Sequence, residues 1–222
     1  MLTDKENKTI TLLIADDHPA LRAGLRVLFE ESPDIQIIGE AQDSFDVQRL
    51  VAELNPQILL LDLKMPGISA AEIEKWVRLN HPETITLVLT GHDRDAYLAG
   101  MMAAGAVGYL DKKETAERLI NAIRRAARGE TLFDEKQIAR VLHWRETVEK
   151  KWERLTTRER QILGLLAQGA NNKAIAKKLF ITSKTVEYHI THILEKLALG
   201  TRQEAEAWVL KHNLENIGDD DG

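Results

Sequence analysis

The stretch Ile58-Leu59-Leu60-Leu61-Asp62-Leu63-Lys64-Met65-Pro66-Gly67 sets one carboxylate directly behind four aliphatic residues, with a Pro-Gly turn shortly after. A short unbroken apolar run reads as a strand buried on both faces, since neither side alternates with polar residues. Such a strand needs helices above and below it, and the flanking sequence supplies them. Further candidate strands lie at Ile10–Ala15, Ile35–Glu40, Ile85–Leu89 and Ala106–Leu110. Between and after them, apolar residues recur at helical spacing: Leu21, Leu25 and Leu28; Val47, Leu50, Val51 and Leu54; Ile73, Trp76 and Val77; Leu98, Met101 and Met102; Leu119, Ile120 and Ile123. Ser69 with Glu72 forms a capping-box pattern ahead of the third helix, and Gly129 is a natural stop for the fifth. Five strand-then-helix units predict a parallel sheet covered on both faces.

The chain is 222 residues long, which suits two small domains better than one. Hydrophobic residues at 44% and charged residues at 29% fit a globular protein and exclude a disordered or collagen-like chain. No apolar run approaches the ~20 residues of a membrane span, and Met1-Leu2-Thr3-Asp4-Lys5 lacks the apolar stretch of a signal peptide, so a cytoplasmic protein with no membrane partner is expected. The absence of cysteine excludes disulfides, thiolate metal sites and a cysteine nucleophile. Charge is uneven: residues 1–128 carry 15 Lys and Arg against 20 Asp and Glu, whereas 154–216 carry 10 against 6. A basic rear half behind an acidic front points to a polyanion as partner of the rear half. All five prolines fall in the front, at 19, 33, 56, 66 and 82.

In an open parallel sheet, ligands bind beyond the carboxyl ends of the strands. The residues there are Asp16, Asp17, Asp62, Thr90 and Lys112. In a flavodoxin-like strand order, 2-1-3-4-5, the first and third strands are neighbours and their three carboxylates converge. Clustered carboxylates repel one another, and a hard divalent cation removes the conflict, which makes Mg²⁺ the natural guest. Asp62 can then attack a phosphoryl group while the metal and the Lys112 ammonium neutralise its oxygens, with the Thr90 hydroxyl within reach.

Asp16-Asp17-His18-Pro19, Leu60 to Gly67, Leu89-Thr90-Gly91 and Gly108-Tyr109-Leu110-Asp111-Lys112 together resemble the receiver domain of two-component response regulators. The resemblance implies that Asp62 accepts a phosphoryl group from a histidine kinase. It implies that Asp16, Asp17, Asp62 and the Lys64 backbone carbonyl hold Mg²⁺. Thr90 and Tyr109 would form the switch pair, the hydroxyl swinging toward the phosphoryl group and the ring turning inward. The expected domain covers residues 1–129, with a helical linker at 130–153.

Behind the linker, Thr156-Thr157-Arg158-Glu159 is a second capping box, opening a helix that ends at Gly169. A short helix from about Asn172, the turn Phe180-Ile181-Thr182, a helix from Ser183 to about Leu197 ended by Gly200, and a last helix Arg202–His212 follow. Two helices joined by so tight a turn read as a helix-turn-helix, whose second helix enters the DNA major groove. Val186, Ile190, Ile193, Leu194 and Leu197 share its inward face. His189 and His192 lack a third ligand for a metal, so His189 is expected to pack. The segments Leu155 to Glu159, Asn172 to Ala176 and Thr185 to His189, with Lys196-Leu197, resemble the LuxR-type DNA-binding domain, expected over 154–216 ahead of an acidic tail at 217–222. With the front half, the chain resembles NarL/FixJ-type response regulators.

By that resemblance Glu187, Tyr188 and Thr191 stand where bases are read, and Lys184, Thr185 and Lys196 would hold phosphates, with Asn172 and His192 in the same contact set. Glu187 occupies a position where many relatives carry Lys, which shifts its role toward accepting from cytosine. The expected architecture is an α/β flavodoxin-like receiver followed by an all-α four-helix helix-turn-helix domain. The expected protein is a transcription regulator, not an enzyme, apart from promoting its own phosphoryl transfer and dephosphorylation. Its partners would be a histidine kinase, double-stranded promoter DNA, a second copy after phosphorylation, and RNA polymerase. A phosphorylation-independent regulator acting through constitutive DNA or protein contacts is the alternative. A haloacid-dehalogenase-like hydrolase would want an acid two residues after its nucleophile, where Lys64 stands.

Overall fold

The computed structural model describes residues 9–212 and 214, which separate into two compact units: residues up to 138 other than 94–96 form one, and 94–96 with those from 139 onward form the other. The tail expected at 217–222 lies outside the described residues.

The first unit alternates β1 (Ile10–Ala15), α1 (Pro19–Glu30), β2 (Ile35–Ala41), α2 (Ser44–Leu54), β3 (Ile58–Leu61), α3 (Ala70–Asn80), β4 (Ile85–Thr90), α4 (Asp95–Ala104), β5 (Gly108–Asp111) and α5 (Ala116–Ala127). All strand pairs are parallel and the order is β2-β1-β3-β4-β5, as the sequence predicts. β4 and β5 each end one residue past the apolar pattern, where Thr90 pairs with Asp111 and the Lys112 N–H donates to the Thr90 carbonyl, and β5 begins at Gly108, two residues later than expected.

Strand residues alternate between two cores. Leu12, Ile14, Ile58, Leu60, Leu87 and Leu89 face α1 and α5, where Leu25, Phe29, Leu119 and Ile123 cover them. Leu13, Leu59, Leu61 and Val88 point the other way, toward the side from which α2, α3 and α4 bury Val47, Val51, Val77 and Leu98. The β1–β2 register shifts between Leu12 and Leu13, and a Cβ at Gly39 would stand 3.0 and 2.8 Å from methyls of Leu13 and Leu54. One expected face needs correction. On α3 the buried residues are Ala70, Ile73, Glu74 and Val77, while Trp76 is only half-buried. Positions 70, 73, 74 and 77 follow the helical period, and an acid occupies one of them.

The loop after β3 is pinned rather than free. Ser44 donates its N–H to the Pro66 carbonyl, and its hydroxyl accepts from the Ile68 N–H at 2.9 Å. Gly67 has φ +103, and a Cβ there would meet the Ser44 oxygen at 1.9 Å, so only glycine fits. Ser69 and Glu72 close the capping box in both directions, with α3 beginning at Ala70.

Past α5, Leu132 donates its N–H to the Val107 carbonyl, and then α6 (Glu135–Trp144) passes through a π-helical turn at Arg145–Glu149 into α7 (Lys150–Glu153). In the second unit Val148, Trp152 and Leu155 are buried with α8 (Thr157–Ala167), α9 (Asn172–Lys178), α10 (Ser183–Leu197) and α11 (Arg202–His212), around Ile162, Leu166, Ile175, Val186 and Ile193. Trp152 stacks on Trp208, ring centroids 6.4 Å apart. The Thr156–Glu159 capping box forms as the sequence predicts. The stop of α10 differs: Ala198, not Gly200, takes the left-handed cap at φ 56. The Leu199 N–H folds back to the Leu194 carbonyl, leaving the Gly200 N–H for Glu204 at the start of α11.

Candidate functional site

The β1–β3 register sets Ala15 opposite Leu61, so the residues that follow, Asp16 and Asp62, stand side by side, and the Asp62 N–H donates to the Ala15 carbonyl at 2.8 Å. Both side chains are buried, at 2% exposure each. Their burial is compensated by one cation. Lys112 Nζ lies 2.7 Å from Asp16 Oδ2 and 2.8 Å from Asp62 Oδ2. The second oxygens are also engaged: Asp62 Oδ1 accepts from the Leu63 N–H at 2.8 Å and Asp16 Oδ1 from the His18 N–H at 2.8 Å. Burial works against the charge of Lys112, yet hydrogen bonds to Asp16 and Asp62 hold its ammonium above the ordinary lysine range.

Asp17 completes the cluster. One ligand atom each from Asp16, Asp17, His18 and Asp62 lies within 4.8 Å of the others. Asp17 Oδ1 is shielded from solvent and receives no hydrogen bond, although His18 Nδ1 stands 2.6 Å away. A solvent-shielded carboxylate oxygen met by an imidazole nitrogen, beside two further carboxylates, matches the oxygen ligand preference of Mg²⁺, and the acidic pocket of Asp16, Asp17 and Asp62 could hold that ion. Lys64, whose carbonyl the resemblance adds to this set, lies in the same loop as Gly67 with its ammonium 4.9 Å above the Tyr97 ring.

Thr90 and Tyr109 meet at one residue. The Thr90 hydroxyl accepts from the His92 N–H at 3.1 Å, and the Tyr109 hydroxyl donates to the His92 carbonyl. Tyr109 is buried, at 4% exposure, so its ring already lies inward, and its own carbonyl accepts from Gln137 at 2.9 Å. Two residues escaped the sequence reading. His18, inside the Asp16–Pro19 motif, sets its Nδ1 2.6 Å from Asp17 Oδ1 and 3.1 Å from Asp16 Oδ1. Arg22, on α1, donates to the Asp16 carbonyl and to Glu40 of β2 at 3.1 Å, fixing the acidic loop from a second element. Nothing in the sequence marks that long-range contact.

In the second unit, α9 and α10 pack against each other across the Phe180 turn, where Phe180 takes φ 55. α10 is started by Thr182, whose hydroxyl accepts from the Thr185 N–H and bonds the Thr185 hydroxyl at 2.8 Å. Val186, Ile193 and Leu197 are buried, and Ile190 and Leu194 pack beside them, as expected. Lys184, Glu187, Tyr188 and Thr191 are exposed, while Asn172, Thr185, His192 and Lys196 are half-buried. Arg202 escaped the sequence reading: its guanidinium donates to Asn172 Oδ1 at 2.8 Å, to the Ala170 carbonyl at 2.6 Å and to Glu206 at 2.7 Å.

Lys196 has a partner inside the domain. Its ammonium lies 2.6 and 2.9 Å from the two oxygens of Glu159, the buried capping residue of α8. Burial opposes the charge of Glu159, but Lys196 and the Thr156 donors hold its carboxyl below the ordinary glutamate range. A phosphate would have to compete with that pair for Lys196.

Comparison with known proteins agrees with both halves. Residues 12–124 match the response regulator receiver domain, and residues 153–209 match the bacterial regulatory proteins of the luxR family. The transcriptional regulatory protein LiaR of Bacillus subtilis is 39% identical over 210 residues, covering 93% of this chain and 100% of that one. The nitrate/nitrite response regulator NarL of Escherichia coli K12 is 38% identical over 205 residues, covering 90% and 94%. A solved complex of the response regulator RcsB with DNA is similar at a TM-score of 0.59 and 26% identity, over 92% of this chain and 98% of that one. Among the described residues no helix is long and apolar enough to cross a membrane. The chain is therefore a two-component response regulator of the NarL/LuxR family, a receiver domain followed by a LuxR-type helix-turn-helix DNA-binding domain.

Proposed function

We propose that a histidine kinase phosphorylates this regulator on Asp62, and that the phosphoryl group drives dimerisation and sequence-specific DNA binding to control transcription. The observation that carries the reading is the shared ammonium: Lys112 spans Asp16 and Asp62, so a cation already stands beside the acceptor carboxylate at 2% exposure, where a phosphoryl oxygen would arrive. An Asp62 oxygen attacks the donor phosphorus, the bond from phosphorus to the donor nitrogen breaks, and an acyl phosphate forms. Lys112 then pairs with a phosphoryl oxygen instead of the carboxylate. Asp16, Asp17, Asp62 and the Lys64 carbonyl would hold Mg²⁺, which when bound neutralises negative charge on the transferring group. Water later cleaves the acyl phosphate, releasing inorganic phosphate and restoring the carboxylate; promoting this transfer and this hydrolysis is the only chemistry proposed for the chain itself.

The Thr90 hydroxyl, drawn to the phosphoryl group, would release the His92 N–H, while Tyr109 keeps the His92 carbonyl. The loop between β4 and α4 thereby becomes the element with two arrangements. On the DNA side, Lys184, Thr185 and Lys196 would meet phosphates and Glu187, Tyr188 and Thr191 would face bases, with Asn172 and His192 in the same contact set. Paired domains on a two-fold axis would grip half-sites separated by one or two helical turns, ~10 bp each. The cytoplasm and contact with RNA polymerase follow from this role.

Tyr109 favours a second reading, a regulator that works without phosphorylation, because the chain's own contacts suffice to hold its ring inward. Mg²⁺ with beryllofluoride, a phosphoryl mimic, separates the two. Wild type should shift toward dimer and bind DNA more tightly, and Asp62→Ala should do neither. Equal binding by both proteins, with or without the mimic, would establish the second reading instead.

A further inference from the structure

On α10, Tyr188 is the most exposed of the base-facing aromatic groups, at 62%. An exposed tyrosine ordinarily samples several rotamers, and fixing one on binding costs entropy. Here the ring is already held. His192, one turn later, packs its imidazole against it with centroids 4.1 Å apart and planes inclined at 43°, and His189 meets it edge-on at 5.8 Å. His192 is itself fixed, since its Nδ1 lies 2.8 Å from the Tyr188 backbone carbonyl. A carbonyl only accepts, so Nδ1 carries the proton and Nε2 is left as an acceptor in the neutral ring. A phosphate oxygen, also an acceptor, gains nothing from that nitrogen.

We infer that His192 is a positioning residue: it acts on DNA through Tyr188, pre-setting the tyrosine ring for reading a base, rather than by holding a phosphate itself. The inference rests on the reading of α10 as the helix that enters the major groove. The chemistry that Tyr188 offers there is an apolar ring edge for a thymine methyl and a hydroxyl that can donate to a base oxygen. Its preorganisation should raise discrimination between sequences and leave the electrostatic, sequence-independent part of binding untouched.

The test uses the full chain with Mg²⁺ and beryllofluoride at pH 8. Selection from a pool of duplexes with a randomised centre gives the base preferences, and a scrambled duplex titrated over a salt series gives the non-specific term. Expected is that His192→Ala loses about three- to tenfold of the preference at the base positions that Tyr188→Ala also loses, the scale of one ordered side chain. Scrambled-duplex affinity and its salt slope should stay at the wild-type value. His192→Phe, which keeps a ring but no nitrogen, should restore the preference, and His192→Ala should add nothing in a Tyr188→Ala background. The inference is overturned if His192→Ala weakens scrambled-duplex binding and lowers the salt slope, which marks a phosphate contact, or if its effect persists undiminished without Tyr188. Failure of wild type to bind any duplex would instead remove the α10 reading, and this inference with it.

Discussion

Two buried acidic places in the receiver domain receive opposite treatment. At the ends of β1 and β3, Asp16 and Asp62 are buried at 2% but share the Lys112 ammonium and backbone donors. Between α3 and β4, Glu74 is buried at 0% beside the buried Thr86, and among the described residues its oxygens pair with no cation and accept from no backbone donor. Burial pushes the Glu74 carboxyl up to about 7, against weaker opposing effects of Thr86 and of Arg78 on its own helix. Burial alone drives a carboxyl toward its neutral form, whereas burial beside a fixed cation keeps it charged and reactive. Only the first arrangement suits the proposed phosphoryl transfer.

The largest expected effect comes from removing the shared cation. Lys112→Met leaves two buried carboxylates facing each other and should cost about 3–5 kcal/mol of receiver stability in urea unfolding. Added Mg²⁺ should return part of it, because the ion replaces the missing charge. A variant as stable as wild type would mean that the cluster does not need Lys112.

Glu74 should show the reverse sign. Its folded-state value lies above the ordinary 4.5, so the folded protein binds more protons than the unfolded chain between pH 4.5 and about 7. The contribution is full below pH 4.5 and is lost as pH rises through about 7, amounting to about 3 kcal/mol. Glu74→Gln should remove this slope, matching wild type near pH 4.5 and exceeding it at pH 8. Parallel stability curves for the two proteins across that range would show that Glu74 is ionised throughout.

A smaller effect is expected in the DNA-binding domain, where Lys196 and Glu159 repeat the compensated arrangement on a partly exposed cation. Lys196→Met should cost about 2 kcal/mol by stranding Glu159, and Lys196→Met with Glu159→Gln should recover most of it. If the single variant keeps its melting temperature while DNA binding and its salt slope fall, Lys196 acts on phosphates and not within the fold.

The sheet order, the capping boxes and the inward face of α10 were legible because each rests on local periodicity or on residues three or four apart. Asp16, Asp17, Asp62 and Lys112 were legible because strand ends in a parallel sheet converge wherever the order is known. Glu74 was not, since the apolar pattern of α3 drew attention to Trp76 and passed over an acid at a core position. Arg22 and Arg202 were equally silent, each binding backbone and side-chain groups set by distant packing. The cap at Ala198 escaped because a glycine two residues on looked like the better stop.

The claim on which the account turns is that Asp62 is the acceptor. Incubation with Mg²⁺ and a small phosphodonor, followed by borohydride trapping and peptide mass spectrometry, tests it most directly. Expected is a modified Asp62 in wild type and no modified aspartate in Asp62→Asn. Modification at another residue in wild type, or unchanged phosphoryl uptake by Asp62→Asn, would contradict it.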